Sequence, residues 1–157
     1  MRLIKENLLI AYRDGNNKVA RSSMMAAALM GATAFQKGLG AVHALSHPIG
    51  AIHNCHHGTT NAVLIPAVLK MNREKIEKKI EMLANYLDIN NGFDGFLEFM
   101  IKMNKSLEIP DNLTSLGVSS LDFDSIIKKA LVDPSANGNP VRLTEHNLRE
   151  LMISCLK

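Results

Sequence analysis

Apolar residues recur at helical spacing along this chain, and nowhere do they alternate in the two-residue period of a strand. The segment from Glu74 to Leu87 shows it most simply, with Ile76, Ile80, Leu83 and Leu87 on one face and Lys and Glu on the other. Arg2 to Asp14 places Leu3, Ile4, Leu8, Ile10 and Ala11 in the same way, and Gly15-Asn16-Asn17 stops it. The remaining predicted helices run over Val19–Phe35, Ala41–Ser46, Thr59–Asn72 with a bend at Pro66, Phe93–Leu107, a short turn at Leu113–Leu116, Phe123–Leu131 capped by Asp122, and a last helix capped by Thr144. The loop Asp133–Pro140 separates the last two. Pro48 is expected to end or kink its helix, with a loop running on to about His56. The small residues Ala26, Ala27, Ala28, Gly31, Ala32 and Ala34 thin the second helix, which is therefore expected at the centre of the molecule. The fold class is all-α, a single compact multi-helix domain over residues 1–157.

Composition agrees. Of 157 residues, 46% are hydrophobic but only 4% aromatic, so the core is aliphatic, and Ala, Leu and Met favour helix. A net charge of +3 with mixed signs, no dense basic stripe and few aromatics argues against nucleic acid. The N-terminus is interrupted by Arg2, Lys5, Glu6 and Arg13, and the low-charge run Ser22–Phe35 is too short to span a bilayer. No membrane role and a cytoplasmic location are expected. Cys55 and Cys155 suit a reducing compartment better than a disulfide scaffold. No strand–glycine loop–helix unit for a dinucleotide is present.

Five of the six histidines lie in GLGAVHALSHPIGAIHNCHHGTTNAV, residues 38–63: His43, His47, His53, His56 and His57. His43 and His47 stand one helical turn apart, so both rings leave one face. The loop that follows is long enough to fold His57 back over that face. By spacing alone, His43 and His47 are the first pair to bind a metal ion. His53 and His56 read more simply as ordinary loop residues, and His146, in the first turn of the last helix, as solvated. Cys55 reads as a small packed thiol rather than a soft-metal ligand.

The same stretch, extended to GLGAVHALSHPIGAIHNCHHGTTNAVLIPAVLKMN, resembles the signature of the iron-containing (group III) alcohol dehydrogenases. Arg2-Leu3-Ile4, Glu6-Asn7-Leu8, Ala34-Phe35, Asp133-Pro134, Asn139-Pro140 and Leu143-Thr144-Glu145 extend the likeness, in order, over nearly the whole chain. The resemblance implies the C-terminal helical domain of that family, of the dehydroquinate synthase-like type. It implies Fe(II), with Zn(II) possible, held by His43 and His57. It places His47 beside the metal, facing substrate and nicotinamide, as the catalytic and cofactor-contacting residue. This assignment displaces the His43/His47 pair that spacing favours. His56 departs from the pattern, where the family often has Pro, and so does Ile52-His53.

The implied activity is hydride exchange between an alcohol and NAD or NADP, with the cation as Lewis acid and His47 relaying a proton. The family's nucleotide-binding domain, and an Asp and a His that complete its metal site upstream of Arg2, have no counterpart in this sequence. The expectation is therefore a half-site, inactive alone, that pairs with a complementary N-terminal fragment or forms a homodimer over an exposed apolar face. Two alternatives stand beside it: a non-enzymatic helical remnant or interaction module, and a small metal-binding protein using all five clustered histidines.

Overall fold

The computed structural model describes residues 1–156. Among them there is no strand. Seven helices carry the fold: α1 (Arg2–Arg13), α2 (Lys18–Ala34), α3 (Ala41–His53), α4 (His57–Tyr86), α5 (Gly92–Ser106), α6 (Phe123–Val132) and α7 (Glu145–Ser154). Single-turn helices at Phe35–Lys37, Thr114–Leu116, Ser120–Asp122 and Pro134–Gly138 punctuate the connections. No helix among the described residues is long and apolar enough to cross a membrane.

The centre of the molecule is α3, not α2. Ala41, Ala44, Leu45, Ser46, Pro48 and Ile49 of α3 are all buried, and the helix packs on α4, α6 and the Pro134–Gly138 turn. Leu64 and Val68 of α4, Phe123, Ile126 and Ile127 of α6, and Leu148 and Met152 of α7 close this core around it. By contrast α2 packs on α1, and only Ala20 and Ala27 of it are buried. Small side chains permit close approach, but burial also needs neighbours on several sides. Here α2 has one, and Val19, Met25, Leu29 and Met30 face outward.

Both prolines lie inside helices. Pro48 is the eighth residue of α3, which runs on to His53, so the connection to α4 is only three residues, 54–56. Burying Pro48 beside Leu45 and Ile49 offsets the lost backbone bond. Similarly, Pro66 does not divide α4, which runs unbroken for 30 residues from His57 to Tyr86, about 45 Å. Without a proline N–H, the carbonyl of Ala62 one turn earlier loses its helical donor. The side-chain Nδ2 of Asn104, on α5, donates to that carbonyl at 2.7 Å. The first half of α4 thus joins the main core. Its second half builds a smaller cluster with α5, around Ala84, Leu87 and Phe96.

Of the predicted caps, Thr144 does cap α7, in a reciprocal pair with Asn147. Asp122 does not cap α6: its Oδ2 accepts from the N–H and Oγ–H of Ser119 and closes the preceding turn instead. The loop 133–140 is ordered around Asn139. Asn139 Oδ1 accepts from the Ala41 N–H at the start of α3 (3.1 Å) and from Asn72 Nδ2 (3.0 Å). Asn139 Nδ2 donates to Asn72 Oδ1 at 2.8 Å and to the Val141 carbonyl at 2.7 Å. Two amides thereby tie α3, α4 and the 133–140 loop together. Gly138 is required there, because a Cβ on it would lie 1.9 Å from the Leu39 carbonyl oxygen.

Candidate metal and hydride-transfer site

Three imidazoles converge. Gly38, at φ +98°, turns the chain out of the Phe35–Lys37 turn, and Gly40 then starts α3. That places His43 and His47 on one face, with ring centroids 5.8 Å apart. Asn54, in the left-handed region at φ 53°, ends α3. His56 Nδ1 then accepts from the Thr59 N–H at 3.3 Å and starts α4. This tight reversal brings His57 back over the α3 face. Its ring stacks on His47 at 5.6 Å with an interplanar angle of 14°, and lies 5.2 Å from His43. The three rings form a nearly equilateral triangle. Phe35 meets His43 edge-on at 6.2 Å.

Each ring has a partner or setting that fixes its chemistry. His47 Nδ1 lies 2.8 Å from Asp133 Oδ2. The carboxylate accepts the Nδ1 proton and leaves Nε2 with the lone pair. Burial pushes the Asp133 carboxyl up, but hydrogen bonds from His47 and from the N–H of Ser135 outweigh it and hold the group below the usual carboxylate range. His43 is pushed below the ordinary histidine value, first by burial and then by the nearby charge sites of His57 and His47, with Asp133 opposing. It stays neutral, the form that ligates metals. His57 Nδ1 lies 3.4 Å from Ser46 Oγ, and His57 Nε2 lies 3.1 Å from Asn61 Nδ2.

The other two clustered histidines go elsewhere. His53 Nε2 lies 3.5 Å from Asp122 Oδ2, and His56 serves as the cap of α4. His146 is exposed on α7 beside Glu150. Cys55 Sγ donates to the Leu116 carbonyl at 3.3 Å, and burial pushes its thiol up, so it packs rather than reacts. Asp133 and Asn61 are the site residues that sequence reasoning missed. In the sequence Asp133 stands only as half of an Asp-Pro pair, and Asn61 only within the quoted stretch 38–63, one turn beyond His57.

Neutral imidazoles are borderline ligands that suit iron or zinc, and Asn61 Oδ1, buried beside His57, has no hydrogen-bond partner. The donors therefore fit a divalent cation. They do not complete a site: among the described residues, no group of three or more His, Cys, Asp or Glu side chains is arranged to hold a metal ion.

The fold is thus an all-α domain that gathers three imidazoles at the junction of two central helices. The chain belongs to the Fe-containing alcohol dehydrogenase family, whose C-terminal profile matches residues 1–156. The 4-hydroxybutyrate dehydrogenase of Cupriavidus necator is 37% identical over 151 residues, covering 90% of this chain and 39% of that protein. Alcohol dehydrogenase 4 of Saccharomyces cerevisiae is 34% identical over 150 residues, covering 93% of this chain and 39% of its own length. The crystal structure of a 1,3-propanediol oxidoreductase superposes with a TM-score of 0.95 at 30% identity, over 99% of this chain and 43% of that one. The chain thus spans about two-fifths of the length of these relatives.

Proposed function

We propose that this chain forms one wall of a site that exchanges a hydride between a small alcohol or aldehyde and NAD or NADP. His43 and His57 hold a divalent cation there, Fe(II) or Zn(II), and His47 faces the substrate and the nicotinamide. The observation that carries this reading is the convergence of the three rings within 5.2–5.8 Å of one another. The cation, when bound, supplies Lewis acidity toward the substrate oxygen.

The chain's own residues do the rest. Burial keeps His43 neutral and ready to ligate. Ser46 fixes the His57 ring from its Nδ1 side. Asp133 orients His47, whose Nε2 is then free to take a proton from the substrate hydroxyl and pass it to solvent, since the ring is partly exposed. Phe35 meets His43 edge-on at the rim of the site.

Two further ligands and the nucleotide-binding surface come from a complementary N-terminal segment, and a second copy of the chain is the alternative cover for the exposed apolar face. The outward side of α2 favours such a partner: Val19, Met25, Leu29 and Met30 are all largely exposed there, from 66% at Met30 to 76% at Val19. Phe35, at its end, joins this face to His43. Turnover needs the hydride acceptor held in place, a part that falls to the complementary segment.

The test is calorimetric titration of the chelator-treated chain with Zn(II), and with Fe(II) under anaerobic conditions, for wild type, His43→Ala and His57→Ala. One-to-one binding lost in both variants supports the reading. Binding indifferent to both would leave a helical module that keeps the family's fold without its chemistry. Light scattering checks the partner, with a dimer or a larger assembly expected.

A further inference from the structure

Asn61 lies one turn after His57 on α4, and its Nδ2 is 3.1 Å from His57 Nε2. The other ring nitrogen, Nδ1, is 3.4 Å from Ser46 Oγ, and that hydroxyl donates to the His43 carbonyl at 3.4 Å. An amide nitrogen can only donate, so the ring nitrogen that Asn61 Nδ2 faces holds a lone pair. Ser46 therefore accepts from His57 Nδ1–H, and Nε2 carries the ring's lone pair. The Asn61 amide donates into that lone pair.

A cation ligated by His57 needs the same lone pair. With Nδ1 turned to Ser46, Nε2 is the only nitrogen of the ring left to bind one, and one lone pair cannot serve an N–H donor and a metal together. A second observation concerns the other end of the amide. Asn61 Oδ1 is buried and has no hydrogen-bond partner. A buried acceptor without a donor is unfavourable, so the amide is satisfied at one end only, by the contact that a cation would break.

We propose that Asn61 is a placeholder: it occupies the ligating lone pair of His57 and must yield it before a divalent cation binds. The proposal rests on the reading of His57 as a ligand. It sets Asn61 apart from the usual outer partners of a metal-bound histidine, which hold the nitrogen remote from the metal and strengthen binding. Ser46 has that role here, and Asn61 competes.

The experiment uses the full chain after chelation, as wild type and as Asn61→Leu, which has the same branched heavy-atom skeleton and carries no polar atom. Asn61→Ala serves as a second variant if the leucine does not fold. Long-range proton–nitrogen spectra at pH 8 are expected to show His57 protonated at Nδ1 in wild type, with the Nε2 resonance moving in the variant. A His57 protonated at Nε2 would overturn the proposal, because the amide oxygen would then be the group on the ring.

Titration with Zn(II) is expected to give tighter binding to Asn61→Leu than to wild type, by roughly two- to tenfold, the size of one net hydrogen bond. The gain is expected to vanish when His57→Ala is added. Equal or weaker binding by Asn61→Leu, with dependence on His57 retained, overturns the placeholder and leaves the ligand assignment standing. Zinc binding that ignores His57 overturns both.

Discussion

Asp133 Oδ2 sits 2.8 Å from His47 Nδ1, across 86 residues of sequence. The aspartate reaches the histidine because its Oδ1 is anchored by the N–H of Ser135 at 2.8 Å, at the start of the Pro134–Gly138 turn that packs on α3. In Asp133→Ala, His47 is expected to lose its preference for protonation at Nδ1, and the fold to lose about 1–2 kcal/mol from the two vacated bonds. Asp133→Asn, which keeps an acceptor oxygen, is expected to recover most of the tautomer preference. Nitrogen chemical shifts and urea unfolding measure both. An unchanged tautomer in Asp133→Ala would show that the carboxylate does not set it.

The contact between Asn104 Nδ2 and the Ala62 carbonyl stands in for the helical bond that Pro66 cannot make. Asn104→Ala leaves that carbonyl without a donor and is expected to cost about 1–3 kcal/mol. Pro66→Ala restores a backbone N–H one turn on. In that background the same Asn104→Ala change is expected to cost less, so the two sites couple in a double-mutant cycle. Strict additivity would sink the compensation argument.

Asn139 makes four hydrogen bonds that join three segments. Asn72, its partner, is 4% exposed and has no solvent to replace them. Asn139→Ala is expected to lose about 2–4 kcal/mol, more than one ordinary bond, because buried donors and acceptors are left unmatched. Hydrogen exchange of the Ala41 amide reports the same event locally and is expected to accelerate. A loss under 1 kcal/mol, estimated roughly as a single bond, with Ala41 still protected, would mean water takes over the network.

Three groups, His43, Asp122 and Asp133, give the stability a pH dependence of known sign in the acid range. The folded state holds His43 below its ordinary value, first through burial. The unfolded chain therefore takes up that proton first, and stability is full above the ordinary histidine pKa of about 6.5 and declines as pH falls through the lower folded value. Asp122 is held low by the backbone N–H and then the hydroxyl of Ser119, against a small opposing effect of burial and with help from His53. Its contribution is present above the ordinary carboxylate pKa of about 3.9 and is lost as pH falls through the folded value. Melting temperatures from pH 2 to pH 8 are expected to show two declines on acidification. His43→Gln flattens the first, and Asp122→Asn makes the second shallower, the remainder belonging to Asp133. A decline near pH 6 that persists in His43→Gln would belong to another group.

Leu64 is fully buried in the main core, where α4 meets α3. Leu64→Ala is expected to cost about 2–5 kcal/mol. Met30→Ala, on the exposed face of α2, is expected to change the monomer's stability by less than about 0.5 kcal/mol, yet to weaken assembly through that face. Denaturation at low concentration and light scattering at high concentration separate the two effects.

By itself the sequence determined what depends on near neighbours. The helical class follows from apolar residues recurring every three or four positions, although Thr59–Asn72 and Glu74–Leu87 read as two helices where the structure has one, and the Thr144 cap follows from chemistry within one turn. The pairing of His43 with His47 on one face needed only the helical period. The tertiary structure decided whatever depends on partners far along the chain. Local propensity gives Pro48 as an end or kink and Pro66 as a bend, because it records the lost N–H. It has no access to the burial of Pro48 or to the Asn104 amide from another helix, and these keep α3 and α4 continuous. The Ala-rich surface of α2 marks a helix that can pack closely, but centrality depends on how many neighbours surround it, and α3 has more of them. Asp133 and Asn61 became site residues only when the 133–140 loop and the first turn of α4 closed on α3. Helix formation is governed by bonds between residues four apart. The histidine site is governed by packing between segments that the sequence separates, so its geometry appears only in the fold.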